Sequence, residues 1–193
     1  SRGLGDVYKR QGPGTRETDL LNPINMIQKV HAVVLSGGSA FGLESTCGVS
    51  KYLEENNIGF DVGVAKVPIV VGAVLFDLGV GNPKSRPNIE MGYRACQVAS
   101  DTKLNQGNFG AGCGATVGKI KGIEYAMKGG IGSHSIKLPN GLVVSALVAV
   151  NAFGDVYENG KVIAGVMDDE KKNVLNSYEL MKNGVNKGGF SID

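Results

Sequence analysis

The sequence predicts an α/β fold organised around a mixed β-sheet, and three observations indicate it. Short apolar runs rich in β-branched residues, typical of buried strands, are interspersed with segments whose apolar residues recur at helical spacing. Strand and helix signals do not alternate strictly, so the sheet is not expected to be wholly parallel. Residues Pro139-Asn140-Gly141 separate two apolar runs, and Asn-Gly favours the tight turn of an antiparallel hairpin.

The first predicted element is a helix that begins at Asn22-Pro23. Asn can cap a helix N-terminus, and Pro fits the first helical position. Ile24, Ile27 and Val30 then supply an apolar stripe. We therefore expect a short amphipathic helix ahead of the first strand.

The next elements are a strand, a turn and a helix. Residues 32–35 are apolar and partly β-branched, which predicts a buried strand, and the glycine turn at 36–39 leads into a helix over 40–56. Two further apolar runs, at 60–64 and 69–75, predict strands. The first half of the chain is thus expected to place several strands beside one long helix.

Turn residues divide the middle of the chain. Residues 79–88 contain two prolines and are predicted to form a loop, which precedes a helix over 91–99. The glycine-rich stretch at 108–114 follows, and a strand is predicted at 115–120. This stretch holds the residues on which the functional interpretation depends.

The hairpin is the strongest prediction in the second half. Its strands are expected at 133–138 and 142–150. The second strand is almost continuously apolar, which predicts that both of its faces are covered. A weak helical pattern follows near 174–181, and residues 184–193 are expected to form a flexible tail.

Composition and charge exclude several functions. Twenty basic and eighteen acidic residues are interspersed in the 193-residue chain, so no basic face for nucleic acid is predicted. No apolar run reaches the ~18–20 residues of a membrane span. The three cysteines form no Cys-x-x-Cys pair, so neither a disulfide framework nor a zinc site is expected. These features favour a cytoplasmic protein.

Residues 107–119 contain five glycines followed by Lys119, as phosphate-binding loops do. The Walker pattern fails because Cys113 stands where glycine is required and Ile120 where Ser or Thr would bind magnesium. Residues 110–115 satisfy a Gly-x-Gly-x-x-Ala fingerprint, but no hydrophobic strand runs into them and no clear helix follows. No nucleotide, other cofactor or metal is therefore predicted.

A serine-hydrolase elbow is the second pattern tested. Ser39 occupies the nucleophile position of Gly-x-Ser-x-Gly, but Phe41 stands at the second glycine. His31, expected at a helix end, and His134, expected on a hairpin strand, are the only histidines, and neither has an evident Asp partner. A Ser-His-Asp triad is therefore not the preferred interpretation.

Four blocks, in order and spacing, resemble the family of L-aminopeptidase/D-esterases and β-aminopeptidases, which includes the nylon-oligomer hydrolases. The resemblance runs from about residue 12 to 164, and less clearly to 193. The blocks are GPGTRETDLLNP at 12–23, HAVVLSGGSAFGLE at 31–44, VPIVVGAVLFDL at 67–78 and GNFGAGCGATVGK at 107–119.

The resemblance implies a self-processing enzyme with a four-layer α/β/β/α sandwich. Such a precursor cuts itself into an α chain and a β chain, and the new N-terminal Ser or Thr of the β chain is the nucleophile. Its own α-amino group, with an ordinary pKa of about 7.7–8.0, can act as the general base. The implied partners are the β chain, a small peptide or amide substrate, and further copies of the protein in a homo-oligomer.

Three site residues are implied by the same resemblance. Lys119 matches a lysine near the nucleophile, where a cation favours the free amine or orients the hydroxyl. Asn151 matches an asparagine whose side-chain amide faces the developing oxyanion. Phe76 stands where relatives have a tyrosine, so it lacks that hydroxyl and is expected to wall the substrate pocket.

The domain interpretation follows from these motifs. Residues 1–11 resemble translated adaptor sequence and are expected to be a non-native leader, and 12–193 are expected to form the α-chain part of one hydrolase domain. Ser191 has only two residues after it, so the nucleophile is expected beyond residue 193. These residues alone are then expected to be inactive.

Two alternatives remain open. One is an acyltransferase similar to the ornithine acetyltransferases, which share this fold type. The other is a non-enzymatic, glycine-rich module that binds a metabolite. The substrate and the number of subunits cannot be read from the sequence.

Overall fold

The computed structural model describes residues 14–101 and 104–185 of the chain. These form two compact units: residues 14–76 with 85–101, and residues 77–84 with 104–185. The predicted leader at 1–11 and residues 186–193 of the predicted tail lie outside the described residues. Gly184 and Val185, the first two residues of that tail, donate backbone hydrogen bonds to Met181 O (3.0 Å) and Leu180 O (3.0 Å).

The first unit is built on a three-stranded mixed sheet. Strands β1 (Thr15–Arg16), β2 (Ala32–Ser36) and β5 (Val70–Val74) lie in the order β1-β5-β2. Strand β5 is antiparallel to β1 and parallel to β2, with Ala32 opposite Val70 and Ser36 opposite Val74. A small antiparallel ribbon of β3 (Phe60–Asp61) and β4 (Lys66–Val67) joins α1 to β5. The sheet confirms the predicted mixture of strand directions.

Two helices complete this unit. Helix α1 (Ser45–Glu55) follows a 3-10 segment at Ser39–Glu44, and helix α2 is Ile89–Gln97. The core joins Val49 and Leu53 of α1 to Val70 of β5. The two helices meet closely: a Cβ on Gly48 of α1 would lie 1.9 Å from Ile89 O of α2. Glycine therefore allows the two backbones to touch.

The helix predicted from Asn22-Pro23 is wrong. The structure has a 3-10 turn at Thr18–Leu21, and residues 24–30 form neither helix nor strand. The Asn22 side chain accepts a hydrogen bond from the Ile24 amide at 3.2 Å, which forms a local turn instead of a helix cap. Ile24 is 86% exposed, so no apolar face is buried there that would stabilise a helix.

The second unit is richer in strands. It holds the antiparallel pairs β6–β7, β8–β9 and β10–β11, two 3-10 turns at Gly110–Cys113 and Ile123–Tyr125, and helix α3 (Ser177–Lys182). Its strands are β6 (Thr116–Val117), β7 (Met127–Lys128), β8 (Gly130–Lys137), β9 (Val143–Val150), β10 (Val156–Glu158) and β11 (Lys161–Ala164). Four apolar residues with no exposed surface form its centre: Ala115, Val117, Ile120 and Val166.

The predicted hairpin is confirmed, but the predicted burial of its second strand is wrong. The register of β8–β9 runs from Gly130 opposite Val150 to Lys137 opposite Val143. Val143 is 53% exposed and Val148 is 52% exposed. The reason is that, within the described ranges, β8 and β9 form a sheet of two strands only. A continuous apolar run predicts burial only when other elements cover both faces.

The fold class is therefore a mixed α and β structure with small sheets, as the sequence predicts at the level of class. The four-layer sandwich remains a prediction. Within residues 14–101 and 104–185, no helix combines the length and the hydrophobicity that crossing a membrane requires.

Candidate active site

The structure brings Lys119 and Asn151 together in the second unit, although 32 positions separate them in the chain. The Lys119 Nζ atom donates to Asn151 Oδ1 at 3.0 Å. Lys119 lies just after β6, and Asn151 directly follows β9. Backbone bonds from Gly118 N to Gly154 O (2.8 Å) and from Lys119 N to Phe153 O (2.7 Å) tie the two segments together.

Gly118 makes this approach possible. Its φ is +72°, in the left-handed region that side chains disfavour. A Cβ at this position would lie 2.0 Å from the backbone of Gly165 and Val166. Only glycine accommodates both the positive φ and this short distance, so Gly118 allows the segment before Lys119 to contact the backbone of residues 165–166.

Lys119 is held by three acceptors. Its Nζ donates to Thr116 O at 2.5 Å and to Ala152 O at 2.8 Å, besides Asn151 Oδ1. Carbonyl and amide oxygens of this kind are suitable acceptors for the N–H donors of an ammonium group. The ammonium group of this half-buried side chain therefore contacts oxygen atoms of two chain segments, one at residue 116 and one at residues 151–152.

The same contacts determine how the Asn151 amide points. Its Oδ1 accepts from the Thr116 amide at 3.0 Å as well as from Lys119, with the Thr116 hydroxyl at 3.5 Å. The backbone amide and the ammonium are donors only, so the oxygen and not the nitrogen of Asn151 must face them. The NH₂ group is consequently directed away from Lys119.

Backbone packing explains the glycine-rich stretch before Lys119. Gly107 and Ile131 exchange two backbone hydrogen bonds, at 2.8 and 2.9 Å. A Cβ on Gly114 would lie 2.0 Å from the Asp77 carboxylate, which rests against that glycine. Lys128 donates its Nζ to Cys113 O and to Ala115 O. A lysine thus covers the carbonyls of this stretch.

Thr116 is a site residue that the sequence interpretation missed. It is only 5% exposed, and its amide and carbonyl orient Asn151 and Lys119 respectively. Its contribution is made by backbone atoms, which no residue-type pattern reports. The only signal in the sequence is its position three residues before Lys119.

Phe76 lies in the other unit, directly after β5 and Leu75. Its side chain is 49% exposed. Lys119 and Asn151 are therefore in contact within the second unit, whereas Phe76 belongs to the first unit. Its role as a pocket wall remains a prediction.

The structure places His31 and Ser39 at opposite ends of β2 in the first unit, and His134 in the second unit. His31 precedes β2, is not preceded by the predicted helix, and accepts the Ile69 amide on Nδ1 at 3.0 Å. Ser39 lies beyond the opposite end of that strand, which is five residues and about 16 Å long at ~3.3 Å per residue. His134 is exposed on β8 in the other unit.

Two acidic groups of the second unit have shifted titration. The pKa of Asp168 lies below its ordinary value because its carboxylate accepts hydrogen bonds, first from the Lys172 amide and then from the Asn173 side chain. The pKa of Asp169 is also lowered, first by its hydrogen bond with Lys121 at 2.6 Å. Asp169 is exposed and Asp168 is half-buried, and both shifts result from local turn and surface contacts.

Comparison with known proteins identifies the chain's family. Residues 6–186 match the sequence profile of Peptidase family S58. An uncharacterized aminopeptidase of Mycobacterium leprae (strain TN) is 45% identical over 173 residues, which cover 86% of this chain and 46% of the relative. A 6-aminohexanoate-oligomer endohydrolase of Agromyces sp. (strain KY5R) is 29% identical over 139 residues, covering 72% of this chain and 38% of the relative.

The chain spans less than half the length of the curated relatives it matches. The profile nevertheless covers nearly all of this chain, including Lys119 and Asn151. These matches confirm the resemblance carried by the four sequence blocks. The chain belongs to peptidase family S58.

Proposed function

We propose that this chain is the α-chain part of an autoproteolytic aminopeptidase or amide hydrolase, to which it contributes Lys119 and Asn151. The nucleophile is an N-terminal Ser or Thr carried by a segment outside residues 1–193. The names of the relatives support the first part of this proposal, and the geometry of Asn151 supports the second. Relatives bear the names aminopeptidase and 6-aminohexanoate-oligomer endohydrolase, and both names denote cleavage of amide bonds.

The observation that carries the proposal is the orientation of the Asn151 amide. Its oxygen is held by the Lys119 ammonium and the Thr116 amide, so its NH₂ group faces the other way. A donor that is already oriented before substrate binds needs no reorganisation when charge develops on a carbonyl oxygen. Asn151 is thus suited to stabilise an oxyanion.

The proposed reaction follows from this geometry. The Ser or Thr hydroxyl attacks the amide carbon, and the free α-amine of the same residue accepts the hydroxyl proton. Asn151 donates its N–H to the resulting oxyanion. Collapse of the tetrahedral intermediate expels the amine, which takes the proton from the α-ammonium group. Water then hydrolyses the acyl-enzyme ester by the same steps.

Lys119 acts in this scheme through Asn151. Its positive charge lies 3.0 Å from Oδ1 and polarises the amide, which makes the N–H bonds of the NH₂ group better donors. Lys119 donates to oxygen atoms of residues 116, 151 and 152, so it contacts the Asn151 amide directly. We therefore assign Lys119 as a positioning residue for Asn151.

The β chain is the proposed partner. The exposed apolar side chains of hairpin β8–β9 support a further chain packing there, since Val144, Leu147 and Val148 are each close to half exposed. Homo-oligomer formation is proposed from the family resemblance alone.

The experiment is to express the coding sequence that carries this chain and to analyse the product by mass spectrometry and N-terminal sequencing. We expect two fragments, the second beginning with Ser or Thr, and hydrolysis of amino-acid anilides. Lys119→Met and Asn151→Ala should each lower kcat by about 100-fold or more. Lys121→Met is the matched control, because Lys121 is a nearby lysine paired with Asp169.

An uncut polypeptide with full amidase activity would refute the N-terminal nucleophile. Transfer of acetyl from acetylornithine to glutamate would instead support the acyltransferase alternative. Equal activity of the Lys119→Met, Lys121→Met and unmodified proteins would refute the role assigned to Lys119.

A further inference from the structure

We propose that the edge of strand β9 that faces away from β8 receives the strand of the β chain that begins with the nucleophile. The two strands run antiparallel, and the first residue of the β chain lies directly opposite Asn151. This inference rests on the proposed function and specifies where and how the partner chain docks.

The alternation of backbone hydrogen bonds identifies this outer edge of β9. Gly107 and Ile131 exchange two backbone hydrogen bonds, so the N–H and C=O groups of Ile131 point away from β9. Ile131 lies opposite Ala149, and the two therefore form a non-hydrogen-bonded pair of the hairpin. Because the two kinds of pair alternate, every second residue of β9 directs its backbone groups away from β8. These residues are Val143, Ser145, Leu147 and Ala149.

The composition of β9 indicates an edge that another strand covers. Within the ranges that the structure describes, β8 is the only strand beside β9 in its sheet. The eight residues of β9 include no charged residue and no proline, and Leu147 and Val148 are 45% and 52% exposed. Proteins protect a free edge with charges, proline or short strands, and an unprotected apolar edge pairs with an added strand.

The edge of β8 is less suited to receive this strand. Its Ile131 backbone, at the end of the hairpin near Asn151, is already bonded to Gly107. Lys137 places a charge at the other end of β8, which disfavours pairing there. The outer edge of β9 is therefore the one that leads to the candidate active site.

The occupant is a strand from outside residues 1–193. The chain spans less than half the length of its curated relatives, which leaves enough sequence for further strands. The proposed function places the nucleophile in that additional sequence. A nucleophile can act with Asn151 only if its segment comes close to the end of β9.

The position of Asn151 determines the direction of the added strand. Asn151 directly follows β9, so a strand antiparallel to β9 begins beside Val150 and Asn151. A parallel strand would begin beside Val143, eight positions earlier and about 26 Å away at ~3.3 Å per residue. Because the nucleophile and Asn151 contact the same carbonyl group, only the antiparallel direction is suitable.

The size of a carbonyl group determines the register. The nucleophile oxygen approaches the carbonyl carbon to about 3–3.5 Å, while Asn151 donates to the carbonyl oxygen from about 3 Å. Directly opposite residues share a face of the sheet, with Cβ atoms about 4.5–5.5 Å apart, which suits such a bridge. A shift by one residue would turn the nucleophile to the other face. With the first β-chain residue opposite Asn151, the sixth lies opposite Ala146.

Disulfide trapping tests this register in the product of the full coding sequence. Ala146→Cys is combined with a cysteine at the sixth residue of the β chain. The two form a non-hydrogen-bonded pair with Cα atoms about 4.5 Å apart, which a disulfide spans. After mild oxidation we expect the two chains to migrate together on non-reducing electrophoresis.

Ser145→Cys with the same β-chain cysteine is the matched control, because residues 145 and 146 point to opposite faces of β9. It should link at least about tenfold less. The proposal is refuted if Ala146→Cys forms no link, if both variants link equally, or if the fourth or eighth β-chain residue links in place of the sixth. The Ala146→Cys variant without the β-chain cysteine tests another occupant: a link between its own copies would place a second copy of this chain at the edge and refute the proposal.

Hydrogen exchange of the unmodified product requires no variant and separates this inference from the proposed function. The amides of Ser145 and Leu147 should exchange at least about 100-fold more slowly than in an unstructured peptide, as should those of Ala146 and Val148, which face β8. If the product is not cut and hydrolyses no amide, the proposed function fails, but this measurement still tests the paired edge. Fast exchange at Ser145 and Leu147 refutes the docked strand whether or not the product is active.

Discussion

Replacing Asn151 by Asp separates the contacts that its oxygen makes in the fold from the donor role that we propose for its NH₂ group. The replacement keeps an oxygen at the Oδ1 position, where Lys119 and the Thr116 amide are bound at 3.0 Å each. It exchanges the NH₂ donor for a second oxygen. Asn151→Ala removes both ends at once, so the pair distinguishes structural support from donation to the substrate.

The expected loss of stability can be estimated from the contacts. In Asn151→Ala the buried Thr116 amide loses its side-chain acceptor, which costs about 1–3 kcal/mol in the free energy of unfolding. Lys119 retains two carbonyl acceptors and adds little to this cost. In Asn151→Asp the new charge attracts Lys119 at 3.0 Å by roughly 5 kcal/mol at an effective dielectric constant of about 20. Desolvation of the carboxylate opposes this gain, so we expect a net change within about 1 kcal/mol.

For activity, the two variants are expected to rank differently than they do for stability. A carboxylate cannot donate a hydrogen bond and repels a developing oxyanion, so Asn151→Asp should lose about 100-fold to 1000-fold in kcat, as much as Asn151→Ala or more. Urea unfolding and hydrolysis of an amino-acid anilide measure the two quantities. The reasoning is refuted if Asn151→Asp keeps kcat within threefold of the unmodified enzyme, or if it unfolds more easily than Asn151→Ala.

Three further predictions concern the second unit. Gly118→Ala should destabilise more than Gly141→Ala in urea unfolding by about 1–3 kcal/mol, because both residues have positive φ but only the first has backbone within 4 Å of the added Cβ; equal losses would contradict this. Asp155→Ala should cost about 1–3 kcal/mol and speed amide exchange in α3, since the carboxylate accepts the Ser177 amide at 2.6 Å and hydroxyl at 2.5 Å, and Asp155→Asn should cost less. The lowered pKa of Asp168 means that its turn is stabilised above pH 3.8 and loses this support as the pH falls through the folded-state value, which NMR titration of the turn amides detects; a midpoint at or above 3.8 would contradict the assignment.

The sequence alone predicts those elements whose signals are local. The run at 32–35 became β2 and the run at 69–75 became β5, because short β-branched segments between turn residues have few alternatives. The β8–β9 hairpin follows from Asn140-Gly141, whose positive φ at Gly141 is the geometry that such turns need. The predicted helix over 24–30 does not form, because its apolar residues have no surface to pack against. The spacing of apolar residues in a sequence does not show whether such a surface exists.

The sequence by itself determined the family, through four ordered blocks, and it pointed to Lys119 and Asn151 as site residues. The tertiary structure decided that these two side chains touch across 32 positions and that the Asn151 oxygen, not its nitrogen, faces the lysine. It also assigned an orienting role to the backbone of Thr116. The physical reason is that residue types are encoded one at a time, whereas the direction of an amide depends on donors that only the folded chain brings together.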